Sequence, residues 1–143
     1  MIAAEDKCAR CIITMLTETD KKKNVIVRFG EMRIKNDGEI ILSYESEKDA
    51  GTLTVIENYA TWRREGNMDA FLTFDAKKTT KGVFGSDGLD GEATIETQTV
   101  EVKIKKDVIS AELEYKLKFD YGEQKMRVKI NARLLKETSV IVS

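Results

Sequence analysis

Residues 30–45 read Gly30-Glu31-Met32-Arg33-Ile34-Lys35-Asn36-Asp37-Gly38-Glu39-Ile40-Ile41-Leu42-Ser43-Tyr44-Glu45, and their pattern decides the fold. Apolar and polar side chains alternate on both sides of Asn36-Asp37-Gly38, as in two strands joined by a turn whose glycine takes a positive φ. Met32 and Ile34 share a face before the turn, and Ile40, Leu42 and Tyr44 share one after it. The faces coincide only if Ile34 pairs with Ile40 and Met32 with Leu42. That register requires a three-residue loop, a type I turn followed by a left-handed glycine. It also sets Tyr44 across from Gly30, where an aromatic ring can cover bare backbone.

Period-two segments recur outward from this hairpin about every 8–12 residues, while long stretches of 3.6-residue periodicity are missing. A first strand is expected over 7–17. A second begins with Val25, Val27 and Phe29 on one face and continues with Met32 and Ile34. The one-residue phase slip at Gly30-Glu31 predicts a β-bulge. Further strands are expected over 52–58, 60–64 and 68–75, with Met68, Ala70, Leu72 and Phe74 sharing a face. The glycine-rich segment 77–91 reads as a long irregular loop. Strands over 92–97 and 99–105 follow, with a phase break near Gln98.

The last hairpin has the clearest alternation. Ile109, Ala111, Leu113, Tyr115, Leu117 and Phe119 fall on one face and charged residues on the other. A two-residue turn at Gly122-Glu123 would pair Phe119 with Met126 and Leu117 with Val128. Strands of about 12 residues span about 40 Å, and at that length a sheet coils. One apolar and one charged face then argue for an antiparallel barrel of about eight to ten strands, with a two-sheet sandwich as the alternative. The tail 136–143 is expected to fray or to add an edge strand.

Composition narrows the function classes. The chain has 143 residues, is 41% hydrophobic and 34% charged, and carries a net charge of −1. This describes a single globular domain, 1–143, with no general attraction to nucleic acid or anionic membrane. No apolar run approaches the about 20 residues of a membrane helix, and Ile2-Ala3-Ala4 runs at once into Glu5-Asp6-Lys7. The expectation is a cytoplasmic protein with neither leader nor anchor. Histidine and proline are both absent, which removes the commonest general base and metal ligand as well as proline-guarded edge strands.

A likeness to a known family rests on Gly30, Ile41-Leu42-Ser43-Tyr44-Glu45, Asp49-Ala50-Gly51, Thr54-Val55-Ile56, Arg64-Glu65-Gly66, Phe84-Gly85 and the strand through Tyr115. In their order and spacing, over 28–134, the chain resembles the YwiB-like family of small bacterial proteins of unknown function. It departs from that pattern at Gly82-Val83, where a Thr-Pro is expected, and at 86–90, which looks inserted. The resemblance implies an all-β, calycin-type (lipocalin-like) barrel and no known activity. Ligand binding enters by analogy of fold alone.

Several constellations have a chemical reading and a plainer one. Cys8-Ala9-Arg10-Cys11 has redox or zinc spacing, but residues three apart on a strand face opposite ways, so two ordinary thiols and no metal are expected. Acidic residues in 85–92 lack calcium-loop spacing and read as turn chemistry. In the expected register Lys116 opposes Lys129 and Lys118 opposes Arg127. Such like-charge pairs cost some tenths of a kcal/mol and suggest either a patch for an anionic partner or a solvated face screened by Glu112, Glu114 and Asp120. Trp62, Tyr59 and Phe71 are expected in the core.

Carboxylates fall on the outward face, so an enzyme is not expected, nor any cofactor. The leading reading is a binding module whose interior, lined by Met32, Ile34, Leu42, Tyr44, Leu113, Tyr115, Leu117 and Phe119, holds a small hydrophobic molecule. The alternative is a non-enzymatic interaction protein that uses the basic patch or a sheet edge, the edge also offering a route to a homodimer.

Overall fold

The computed structural model describes residues 7–86 and 89–135. The expectations for 2–6, for 87–88 and for the tail 136–143 lie outside the described residues. The chain forms β1 (Lys7–Glu18), β2 (Lys23–Ile34), β3 (Ile40–Glu45), β4 (Ala50–Ile56) and β5 (Tyr59–Glu65). It continues through β6 (Asp69–Asp75), β7 (Thr80–Ser86), β8 (Leu89–Lys105), β9 (Val108–Phe119) and β10 (Gly122–Leu134). Consecutive strands pair antiparallel and β1 pairs with β10, so the sheet closes into an up-and-down barrel. No helix among the described residues is long and apolar enough to cross a membrane.

The organising hairpin has the register its periodicity requires. Ile34 pairs with Ile40, Met32 with Leu42 and Gly30 with Tyr44, and Gly38 takes φ 91°. The Tyr44 ring, however, does not cover Gly30. A Cβ on Gly30 would run into the Ser43 carbonyl oxygen, whereas one on Gly51 would lie 2.5 Å from Cζ and Oη of Tyr44. The ring therefore lies over its other cross-strand partner, Gly51.

Three local expectations are corrected. First, β2 pairs with β1 from Lys23 to Ile34 with no register shift, so Gly30-Glu31 carries no bulge. Met32 is buried, while Val25, Val27 and Phe29 are exposed on the outer face. The apparent phase slip came from apolar residues on the solvent side.

Second, the glycine-rich segment contains β7. Gly82 reads as a breaker, yet a Cβ there would sit 2.7 Å from Cδ2 of Leu72 and 3.0 Å from Cδ1 of Ile95. The glycine admits neighbouring side chains into the core.

Third, the β9–β10 turn lies at Asp120-Tyr121. Phe119 pairs with Gly122, Leu117 with Gln124 and Leu113 with Val128. The Phe119 and Tyr121 rings stack across the turn at 5.2 Å. This register also sets Arg127 opposite Glu114 and Lys129 opposite Glu112, which favours it over one that opposes like charges. The slip is an even number of residues, so every side chain keeps its expected face.

The inward faces make one continuous apolar core that includes Ile13, Leu42, Trp62, Phe74, Ile95, Leu113 and Ile130. Each such side chain contributes roughly 1.5–3 kcal/mol on leaving water. Trp62 belongs to this core as expected, whereas Tyr59 and Phe71 face out, with the Arg63 guanidinium 5.4 Å above the Phe71 ring. The barrel is lopsided. Its strands β3 to β7 have six or seven residues, against 12 to 17 in β8, β9, β10, β1 and β2. The closed ring thus has no edge strand. The longest stretches left unpaired on one side among the described residues are 23–29 of β2 and 96–105 of β8.

Candidate functional site

Six of the eight interior residues, Met32, Leu42, Tyr44, Leu113, Tyr115 and Leu117, are buried, and Ile34 and Phe119 pack partly buried against them. The middle of the barrel is filled. Phe74 and Tyr115 bring their ring centres to 4.6 Å, and burial pushes the Tyr115 hydroxyl up to about 12. Open space lies instead at the two mouths.

One mouth is apolar. The bulge between Thr97 and Thr99 resets the phase of β8, as the break near Gln98 predicted, and turns Val100, Val102 and Ile104 inward. They pair with Leu113, Ala111 and Ile109. β7 reaches only as far as Ile95, so the overhang of β8 flanks a cavity of about 620 Å³. Ile40, Val55, Val100, Val102 and Ile104 give it an apolar lining, and Asp37, Glu57, Asn58, Glu101 and Lys103 also border it. Asn58 turns the β4–β5 corner with φ 63°, a conformation asparagine tolerates better than most residues. Ile104 points inward yet is 57% exposed.

The opposite mouth is charged. Its cavity, about 450 Å³, is lined by Arg28, Tyr44, Lys48, Asp49, Arg64, Glu65, Leu72 and Phe84 among others. Arg28 donates from Nε to Asp49 Oδ1 at 2.8 Å and from Nη2 to Oδ2 at 3.0 Å. Ser46 Oγ donates to the same carboxylate at 2.8 Å. The Arg28 hydrogen bonds hold the Asp49 carboxyl below its usual range. Arg64 follows Ala60 and Trp62 on the inward face of β5, and its guanidinium lies 4.9 Å above the Trp62 ring. Burial raises the Tyr44 hydroxyl, with Arg64 pulling the other way.

Sequence reasoning missed Arg28, Asp49 and Arg64. For Arg64 the signal was present, since a charge continues an inward alternation. For Arg28 the expected bulge hid it by assigning the residue to the outer face.

A family model described as Domain of unknown function (DUF1934) matches residues 12–131. The chain belongs to the DUF1934 family. The crystal structure of the ywiB protein from Bacillus subtilis is similar to it at TM-score 0.71 and 14% identity, covering 92% of this chain and 94% of that one. At that identity the likeness is one of fold. Among curated proteins none matches. The YwiB-like resemblance carried by the sequence motifs therefore stands, and with it the barrel.

In this DUF1934 domain the basic quartet is not assembled as expected. Lys116 lies opposite Lys125, Lys118 opposite Glu123, Arg127 opposite Glu114 and Lys129 opposite Glu112. Lys118 binds Glu96 at 2.8 Å, Arg127 lies 3.4 Å from Glu114 and 3.9 Å from Glu112, and Lys116 is 3.8 Å from Glu123. The four-residue slip in register is the reason: Lys118, Arg127 and Lys129 each lie opposite a carboxylate, while Lys116 lies opposite Lys125 and reaches Glu123 diagonally. Cys8 and Cys11 diverge as expected, Cys8 exposed and Cys11 buried. Burial, with Glu31 and Cys8 adding to it, pushes the Cys11 thiol up to about 11.

Proposed function

We propose that this protein is a non-catalytic binding module that holds a small hydrophobic molecule, seated in the apolar mouth rather than in the filled middle of the barrel. The observation that carries this reading is Ile104, an inward-facing isoleucine 57% exposed beside Val102 at a cavity of about 620 Å³. An apolar guest covering it gains the exposed part of what burial of such a side chain is worth, about 1–2 kcal/mol. The volume falls in the range of small-molecule sites. Cys8 and Cys11 face opposite ways and cannot bridge each other, which suits a reducing cytoplasm.

Native mass spectrometry of the purified protein and titration with Nile red, a neutral hydrophobic probe, test the reading. The expected result is a co-purifying small molecule or saturable dye binding that Val102→Glu abolishes. Dye binding indifferent to Val102→Glu, with no co-purifying species, would refute it.

A second reading, a homodimer, is favoured by the overhang of β2. Its backbone at 23–29 has β1 alone as ladder partner, and Val25, Val27 and Phe29 are 58%, 55% and 72% exposed along it. Antiparallel pairing of two such overhangs covers both the free backbone groups and the apolar row. Sedimentation that gives a dimer in the wild type and a monomer in Val27→Glu supports it, and a monomeric wild type at all concentrations sinks it.

A further inference from the structure

We infer that the charged mouth is a second binding site, for a small monocarboxylate with an apolar body. Arg64 is half-buried on the inward face of β5, and a guanidinium drawn partly out of water gains from meeting an anion. Among the described residues no carboxylate lies within ion-pair distance of Arg64. Asp49 acts on it through space, but both oxygens of Asp49 already accept from Arg28, and Ser46 donates to one of them.

What Arg64 does have is the Trp62 ring beneath it and the Tyr44 hydroxyl beside it. Neither neutralises its charge. The guanidinium keeps donors in a planar fork suited to a carboxylate, and the Tyr44 hydroxyl offers one more donor at the same place.

The surroundings limit the ligand. Arg28, Lys48 and Arg64 face the cavity against two carboxylates, Asp49 and Glu65, and Arg28 with Asp49 is already a closed pair. The surplus is one positive charge, which matches a monoanion better than a phosphate dianion. Leu72 and Phe84 supply an apolar wall, so the acid has a body that leaves water as its head meets Arg64. Gly51 is part of the device. A side chain there would occupy the place of the Tyr44 ring, so the glycine lets the hydroxyl stand at the mouth.

Trp62 is the only tryptophan, and its fluorescence reports on the guanidinium stacked upon it. The wild-type protein is titrated with phenylacetate, with its neutral analogue 2-phenylethanol and with phenyl phosphate. Phenylacetate is expected to give a saturable change, and 2-phenylethanol to bind about tenfold more weakly, the difference a charge-assisted hydrogen bond makes. Phenyl phosphate is expected to bind more weakly than phenylacetate. Arg64→Gln is expected to lose about tenfold for phenylacetate while its Nile red binding at the opposite mouth stays unchanged, which separates this site from the one proposed above.

The inference is overturned by equal affinity for the acid and the alcohol, by tighter binding of the phosphate, by no saturable response to phenylacetate, or by a folded Arg64→Gln that binds as the wild type does. Should Arg64→Gln fail to fold, as circular dichroism would reveal, the acid-to-alcohol comparison on the wild type decides alone.

Discussion

The two mouths of the barrel follow one rule and end in opposite chemistry. At one, the last inward positions of β8 are Val100, Val102 and Ile104, and the opening is greasy. At the other, inward positions of β2 and β5 carry Arg28 and Arg64, and the opening is cationic. Period-two alternation aims all of these side chains at the barrel axis. Where a strand runs through the middle of the barrel, its inward side chains fill the core. Toward either end of the barrel, the same alternation lines a cavity.

Substitutions can break or sharpen that contrast. The largest effect is expected for Val100→Asp, which places a carboxylate at a buried apolar position and costs about 3 kcal/mol or more in urea unfolding. Arg64→Met at the other mouth is expected to change stability by less than about 1 kcal/mol, because an apolar replacement relieves an unpaired charge. Equal costs would erase the distinction between the mouths.

Gly51→Ala comes next. Its methyl group would sit 2.5 Å from the Tyr44 ring, and the overpacking is expected to cost about 1–3 kcal/mol in the same assay. Phenylacetate binding should weaken with it, while Nile red binding should not.

Asp49→Asn gives a smaller, pH-dependent change. The folded carboxyl titrates below its ordinary value of 3.8 because Arg28 bonds it, so its contribution is complete above that ordinary value. It is lost as pH falls through the lowered one. The wild type is expected to exceed Asp49→Asn by about 1 kcal/mol at neutral pH. Unfolding measured down the acid limb should show that gap closing, and a constant gap would remove the ion pair from the account.

The smallest stability change is expected for Ile104→Ser. The side chain is already largely in water, so the cost is within about 0.5 kcal/mol. The expected loss is in Nile red affinity, by several-fold.

Much of the barrel was legible because it depends on local alternation. The 30–45 hairpin, the phase break near Gln98 and the inward set from Ile109 to Phe119 need only near neighbours and turn chemistry. The β9–β10 register was not legible. Two registers four residues apart bury the same faces, and the choice between them rests on cross-strand charges and on the Phe119–Tyr121 stack. The charged mouth was hidden for a related reason: Val25, Val27 and Phe29 imitate a core face, and only the unbroken ladder to β1 shows that they face out and that Arg28 faces in.

The order of residues alone determined that this chain is all β, which side of each clear strand is greasy, and where the turn of the 30–45 hairpin falls, because those properties are carried over two to five residues. Closure of β1 onto β10, the strand inside 77–91 and the meeting of Arg28, Tyr44, Asp49 and Arg64 came only with the tertiary structure. These residues lie on different strands, and a shared mouth exists only once the ring has fixed how far each strand overhangs its neighbour.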